Sequence, residues 1–185
     1  NSKTRDHVIR RSLQITEQEL YSSSKIKRSQ ELLQRLGFFD EVTITQNSTG
    51  KDDTVDLLVS VREANTGTFS VGAGVSSGDG FIFSTRVSEN NICGTGNSIT
   101  LDLENGTNRE NYVLGFNNPR VNDSYWSFGM DGSIIDRQFD DYDLNKNGGS
   151  MTVGYPILAF LGPEYLDDVR GSMTYEYSIN DVKSI

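Results

Sequence analysis

Few residues in this chain of 185 could do chemistry by themselves. The single histidine, His7, sits in "TRDHVIRR" among Val8, Ile9 and Arg10. A catalytic imidazole needs a nucleophile beside it and a carboxylate to orient it, and this stretch offers no such set, so His7 reads as a surface or packing residue. The single cysteine, Cys93, stands between Ile92 and Gly94 with no Cys or His neighbour, which argues against a metal site and rules out an internal disulfide. In "DDYDLNKNGG", Asp141, Asp143 and Asn145 have the alternation of a calcium loop. The turn glycine is missing, because Lys146 stands in its place, and Thr152 replaces the closing glutamate, so residues 140–149 read as a solvated loop. "GAGVSSG" lacks dinucleotide-fingerprint spacing. Asn47-Ser48-Thr49 and Asn105-Gly106-Thr107 are glycosylation sequons on paper only. Neither a metal nor a cofactor is implied, and the chain reads as non-enzymatic.

The elements that would position a site fall into two unlike parts. Residues 1–66 carry ten Lys/Arg and ten Asp/Glu; residues 67–185 carry seven and sixteen, so the whole net charge of −9 lies there. The second part also holds 15 of the 18 aromatics and 16 of the 18 glycines. Two architectures therefore meet near Asn65-Thr66-Gly67, giving modules 1–66 and 67–185. A pI near 4.6 argues against a nucleic-acid partner, since phosphate binding needs clustered Lys and Arg. No run of about 18 apolar residues is present, so no transmembrane helix is expected. Transmembrane strands need only about 9 to 11 residues each and stay open as a possibility.

In the first module, Val8, Ile9 and Leu13 have helical spacing, with Asp6 near a start after Thr4. "SSSKIKRSQELLQRLGFF" reads as a second helix with Ser24 as N-cap, Ile26, Leu32, Leu33 and Leu36 as its apolar stripe and Gly37 as its end. Two strands follow, alternating through Val42 and Ile44 and through Val55, Leu57, Val59 and Val61, with "STGKDD" as the turn. So small a sheet barely covers a core, and a further strand before residue 1 would repair it.

From Thr68 onward seven segments alternate with period two. "TFSVGAGVS" sets Phe69, Val71, Ala73 and Val75 against Ser70, Gly72 and Gly74. "FIFSTRVSEN" follows the turn Ser77–Gly80, and the third segment sets Ile99, Leu101 and Leu103 against Ser98, Thr100, Asp102 and Glu104. The fourth aligns Tyr112, Leu114 and Phe116; the fifth aligns Trp126, Phe128, Met130 and Ile134. Met151, Val153, Tyr155 and Ile157 align in the sixth, and Met173, Tyr175, Tyr177 and Ile179 in the seventh. Short Gly/Asn/Asp turns suit antiparallel up-and-down neighbours. Alternation alone fits a soluble sandwich as well as a membrane barrel. Aromatics near strand ends (Phe81, Tyr112, Trp126, Tyr155), glycines on the polar face and the lack of any helix to cover the apolar one favour a barrel wall in lipid. Ile99, Leu101, Leu103, Tyr112, Leu114, Phe116, Trp126 and Phe128 would then face hydrocarbon.

A resemblance narrows this further. "KTRDHVIRR", "RSQELLQRLGFFDEV" and "VDLLVSVREANTG" resemble the last POTRA domain of the BamA family of outer-membrane protein assembly factors. "TGTFSVGAGVSSGDGFIFSTRVSENNICGTGNSITLDLENG" resembles the family's first three barrel strands, and "NNPR" and "GYP" match recurrent turns and strand ends. Arg120 departs from the pattern, where an aromatic is usual. The resemblance implies an α+β POTRA module lacking its first strand, then an antiparallel up-and-down barrel of which about seven strands are present. It implies location in a bacterial outer membrane with the POTRA module in the periplasm. It also implies a lateral gate at the first barrel strand, where Phe69, Ser70, Val71, Gly72, Ala73, Gly74 and Val75 would pair with a strand of a client. Its partners would be unfolded outer-membrane β-barrel proteins, accessory outer-membrane lipoproteins of the assembly machinery and membrane lipid, and no nucleic acid. Two rival readings stay open: a two-partner secretion pore of the same superfamily, and a soluble β-sandwich adhesin or carbohydrate-binding module.

Overall fold

The computed structural model describes residues 3–48, 50, 54–139, 141–157 and 169–184. The chain divides into two compact units, the first formed by Asn1–Thr66 with the short stretch Cys93–Gly96, the second by Gly67–Ile92 and Asn97–Ile185.

In the first unit, α1 (Asp6–Arg10) and α2 (Ser23–Arg35) precede β1 (Phe39–Ser48) and β2 (Val55–Glu63). The strands pair antiparallel, with Val42 opposite Val61 and Ile44 opposite Val59. Because strand side chains alternate, these residues share one face, and Val8, Leu33, Phe38, Phe39 and Val42 form the core there. The Ser22 hydroxyl, rather than that of Ser24, accepts the Lys25 N–H that caps α2. Three consecutive serines make such a cap ambiguous from sequence. Gly37 takes φ +70° just beyond α2, a conformation that a side chain disfavours. Helix α1 starts at Asp6 without a side-chain cap, because Arg5, which has no acceptor, stands at the N-cap; the N–H and hydroxyl of Thr4 before it both donate to the Glu63 carboxylate, at 2.8 Å each. Buried Ser29 donates to the Lys25 carbonyl and accepts from the Gln14 N–H, joining the α1–α2 connection to α2.

The second unit is one seven-stranded antiparallel meander in chain order: β3 (Gly67–Ser76), β4 (Gly80–Glu89), β5 (Ser98–Gly106), β6 (Arg109–Asn118), β7 (Ser127–Gln138), β8 (Tyr142–Pro156) and β9 (Arg170–Ser184). Residues 142–149, expected in a loop, instead begin β8 and pair with β7 from Asp143 onward. Alternation there is hidden because Asn145 and Asn147 occupy the positions that carry Met151 and Val153 further along. Among the described residues this unit contains no α-helix, and no helix described in either unit is long and apolar enough to cross a membrane.

Two outcomes test the first unit. Leu33→Ala, at a fully buried position, is expected to cost about 2–5 kcal/mol, read as faster amide exchange across α2 and β1. The Lys25 ammonium, together with the Thr16 N–H, holds the Glu19 carboxyl down at about 2 from an ordinary value of 4.5. A lowered carboxyl stabilises the fold above its ordinary value and stops doing so as the pH falls from there through about 2. Glu19→Gln should therefore increase exchange in residues 16–35 at pH 7, with the difference from the parent protein vanishing near pH 2.

Candidate functional interface: a two-faced sheet with an open first strand

Strand pairing converts seven local alternations into two continuous faces. One transverse row runs Phe69–Val87–Leu101–Leu114–Gly132–Gly149–Tyr177 from β3 to β9. Its neighbour on the opposite face runs Ser70–Arg86–Asp102–Val113–Ser133–Gly148–Ser178. The first face is apolar and large side chains on it stand exposed, among them Leu114 at 53% and Val75 at 83%. Of the eight residues expected to face hydrocarbon, all share this face. Ile99, Leu101, Leu114 and Trp126 are exposed, while Leu103, Tyr112, Phe116 and Phe128 are half-covered. Trp126 lies one residue before β7, and Tyr112 lies within β6 rather than at its end. The Tyr112 hydroxyl donates to Asn105 at 2.5 Å, so the ring is apolar-facing and its tip meets the polar margin.

The apolar band crosses the sheet obliquely. Ala73 and Phe83 are apolar on β3 and β4, yet the same row continues as Asn105, Glu110, Asp136, Asn145 and Asp181. At the other end, Phe128, Val153 and Met173 are apolar beyond the lower limit of the band on β3. From β3 to β8 the band descends with a slope of roughly 45–50°, taking about 6.8 Å per two residues along a strand and about 4.8 Å between strands. Strands of membrane barrels tilt by about 35–45° against the membrane normal, which would turn such an oblique band into a level belt.

The opposite face is polar and cross-braced. Arg86 pairs with the Asp102 carboxylate through both Nε and Nη2 (the latter at 3.1 Å), across β4 and β5. Arg109 approaches Glu104 at 3.1 Å, Lys146 approaches Glu176 at 3.4 Å and the Ser150 hydroxyl donates to Asp131. Such cross-strand pairs each contribute about 0.2–1 kcal/mol and fix register against a slip that would invert the faces. Small residues fill the space between them. Gly72, for example, leaves room for the Ser84 hydroxyl, which a β-carbon would meet at 2.8 Å.

Among the described residues, strand β3, like β9 at the other end of the sheet, is paired on one flank, through Gly67–Ser76 against Gly80–Glu89. All seven residues expected at the gate lie on it: Phe69, Val71, Ala73 and Val75 on the apolar face, Ser70, Gly72 and Gly74 on the polar one. Nothing lies within 4 Å of a β-carbon built at Gly74. Sequence reasoning had no way to find most of the cross-braces, because all but Arg109–Glu104 join residues 16 to 30 positions apart whose pairing only the register reveals. Among the described residues, no group of His, Cys, Asp and Glu is arranged to hold a metal ion. Asp141, Asp143 and Asn145 do not form a calcium loop: the latter two are consecutive same-face positions of β8. His7 lies in α1, and Cys93 is exposed.

Comparison with known proteins places this architecture. Residues 1–64 match the POTRA family (Surface antigen variable number repeat) and residues 91–185 match the Omp85 superfamily domain. The outer membrane protein assembly factor BamA of Nitratidesulfovibrio vulgaris is 36% identical over 85% of this chain, and that of Neisseria meningitidis serogroup B is 36% identical over 86%. The chain spans about a fifth of the length of these relatives, 20% and 21%. In fold it is similar to the crystal structure of BamA from Haemophilus ducreyi lacking POTRA domains 1–3, with TM-score 0.79 at 24% identity over 97% of this chain and 34% of that one. CdiB from Acinetobacter baumannii is similar in fold at TM-score 0.65 and 10% identity, over all of this chain and 38% of that one. With a POTRA module followed by antiparallel strands of the Omp85 domain, the chain belongs to the Omp85 superfamily and is similar within it to the BamA assembly factors.

Proposed function

We propose that this chain forms the last POTRA domain and the first seven strands of an outer-membrane barrel that assembles and inserts other β-barrel proteins. The carrying observation is the single oblique apolar face of the seven-stranded meander that follows the POTRA module. In hydrocarbon an unpaired backbone N–H or C=O costs several kcal/mol, so a free strand edge there is a strong template for another strand. Closure of β3 against the barrel's last strand has to be weak enough to exchange. Gly72 and Gly74 help, since glycine inside a strand weakens it by roughly 0.5–1 kcal/mol relative to alanine. A client strand adds to β3 by backbone pairing, reading pattern rather than exact sequence, and no covalent bond is made or broken. In the periplasm, the edge of the POTRA sheet would pass on extended client segments or dock accessory lipoproteins in the same way. The relatives named as assembly factors support this reading over secretion through the pore; CdiB shares the fold alone.

Two experiments bear on it. Cysteines placed at alternate positions from Phe69 to Val75 of the intact protein should cross-link to the last strand of a stalled client, in one register. Cross-links only to exported polypeptide inside the pore would instead support a secretion channel. Leu114→Lys, on the apolar face, should cost about 2–4 kcal/mol in lipid vesicles, measured by urea unfolding, with Thr100→Lys on the polar face much milder. Equal, near-zero effects from both would point to a water-exposed sheet.

A further inference from the structure

Strands β7, β8 and β9 run on past the apolar band, and beyond it the two faces exchange character. On the face that carries the band, Asp136, Asn145 and Asp181 share one row, and Gln138, Asp143 and Lys183 the next. On the opposite face Leu144 and Val182 lie in the row of Arg137, and Tyr142 stands two positions from Leu144 along β8. Phe139 stacks on Tyr142 with ring centroids 4.6 Å apart, and its N–H donates to the Tyr142 carbonyl at 2.9 Å. Phe139, Tyr142 and Val182 are all exposed, Val182 at 60%. Apolar groups thus gather on the face that is polar over the rest of the sheet. In a membrane barrel that face lines the interior, out of reach of lipid, so a patch of this kind there marks a surface that other polypeptide covers.

Two arginines adjoin the patch. Arg109 and Arg137 stand directly opposite each other on β6 and β7, an arrangement that is repulsive until an anion joins it. Arg109 has Glu104 at 3.1 Å and Asp79 at 4.0 Å, yet its Nε makes no hydrogen bond, nor does the Oδ1 of Asn111 two positions along β6, and both atoms are buried. Half-buried Arg137 forms no hydrogen bond or ion pair with a described residue. Buried polar atoms are as a rule hydrogen-bonded. An extended acidic peptide meets all of these demands, since its carboxylate accepts planar, paired donors from guanidinium groups and its backbone N–H can serve Asn111. A small free anion would leave Leu144 and Val182 uncovered.

Strand β9 ends at this patch, where Ser184 pairs with Tyr142. On the reading above, in which the chain forms the first seven strands of a larger barrel, the polypeptide runs on from that point. Resting on that reading, we infer that the segment directly following β9 folds back across the inner face of the β7–β9 extension. It lays apolar side chains on Phe139, Tyr142, Leu144 and Val182 and sets an acidic side chain between Arg109 and Arg137. This end of the barrel interior is then covered by protein beside β7 to β9.

In the intact protein in its membrane, a benzophenone side chain placed at Tyr142 should cross-link, under light, to the peptide directly following residue 185. One placed at Asp143, on the other face, should not. Arg137→Glu should lower the yield about tenfold, the factor carried by one charge-assisted hydrogen bond, while Arg137→Lys keeps part of it. Changing the acidic residue of the captured peptide to lysine should restore the yield in Arg137→Glu. Capture of a different protein or of another part of the chain from Tyr142 would overturn the inference, as would a yield indifferent to Arg137→Glu. A membrane-impermeant maleimide added to whole cells carrying Asp143→Cys in a Cys93→Ser background separates the two readings. Labelling without the cross-link would sink the docking alone; no labelling from outside would sink the membrane placement on which it rests.

Discussion

A strand repeats every two residues, and that constraint governs the whole second unit. Once β3 to β9 pair in a single register, each side chain is committed to one of two faces, and a slip of one residue would exchange them. The polar face resists slippage by specific pairs such as Arg86–Asp102 and Lys146–Glu176. The apolar face makes no comparable demand, because nonpolar contact is not directional. Register is therefore specified on the polar face rather than on the apolar one.

The first strand differs from its neighbours in its side chains. Among the described residues β3 and β9 stand at the two ends of the meander and each pairs on one flank. The exposed Phe69 and Val75 and the inner glycines of β3 give it an apolar outward surface with little bulk inward. The POTRA unit, by contrast, is an ordinary small core in which Val8 and Leu33 are wholly enclosed.

Much of this was legible in the sequence, for physical reasons that differ between elements. Strands β3 to β7 are bounded by Gly, Asn and Asp turns and alternate cleanly, so their faces follow from residue types alone. The start of β8 was not legible, since polar residues occupy both of its faces through Asn147 and imitate a loop. Helix α2 was legible through its stripe and Gly37, while its cap was not, because Ser22, Ser23 and Ser24 are chemically equivalent. The slope of the apolar band was beyond reach of any single strand: it appears only when Ala73, Asn105 and Asp181 are seen to share one row.

The most direct measurement is spin-label accessibility along β5 of the intact protein in bilayers, stepping from Ser98 to Glu104. If hydrocarbon covers the apolar face, relaxation by oxygen should peak at 99, 101 and 103, and relaxation by a water-soluble nickel complex at the alternate positions. Equal access of the nickel complex to both sets, or exclusion of both reagents from 99, 101 and 103, would contradict it.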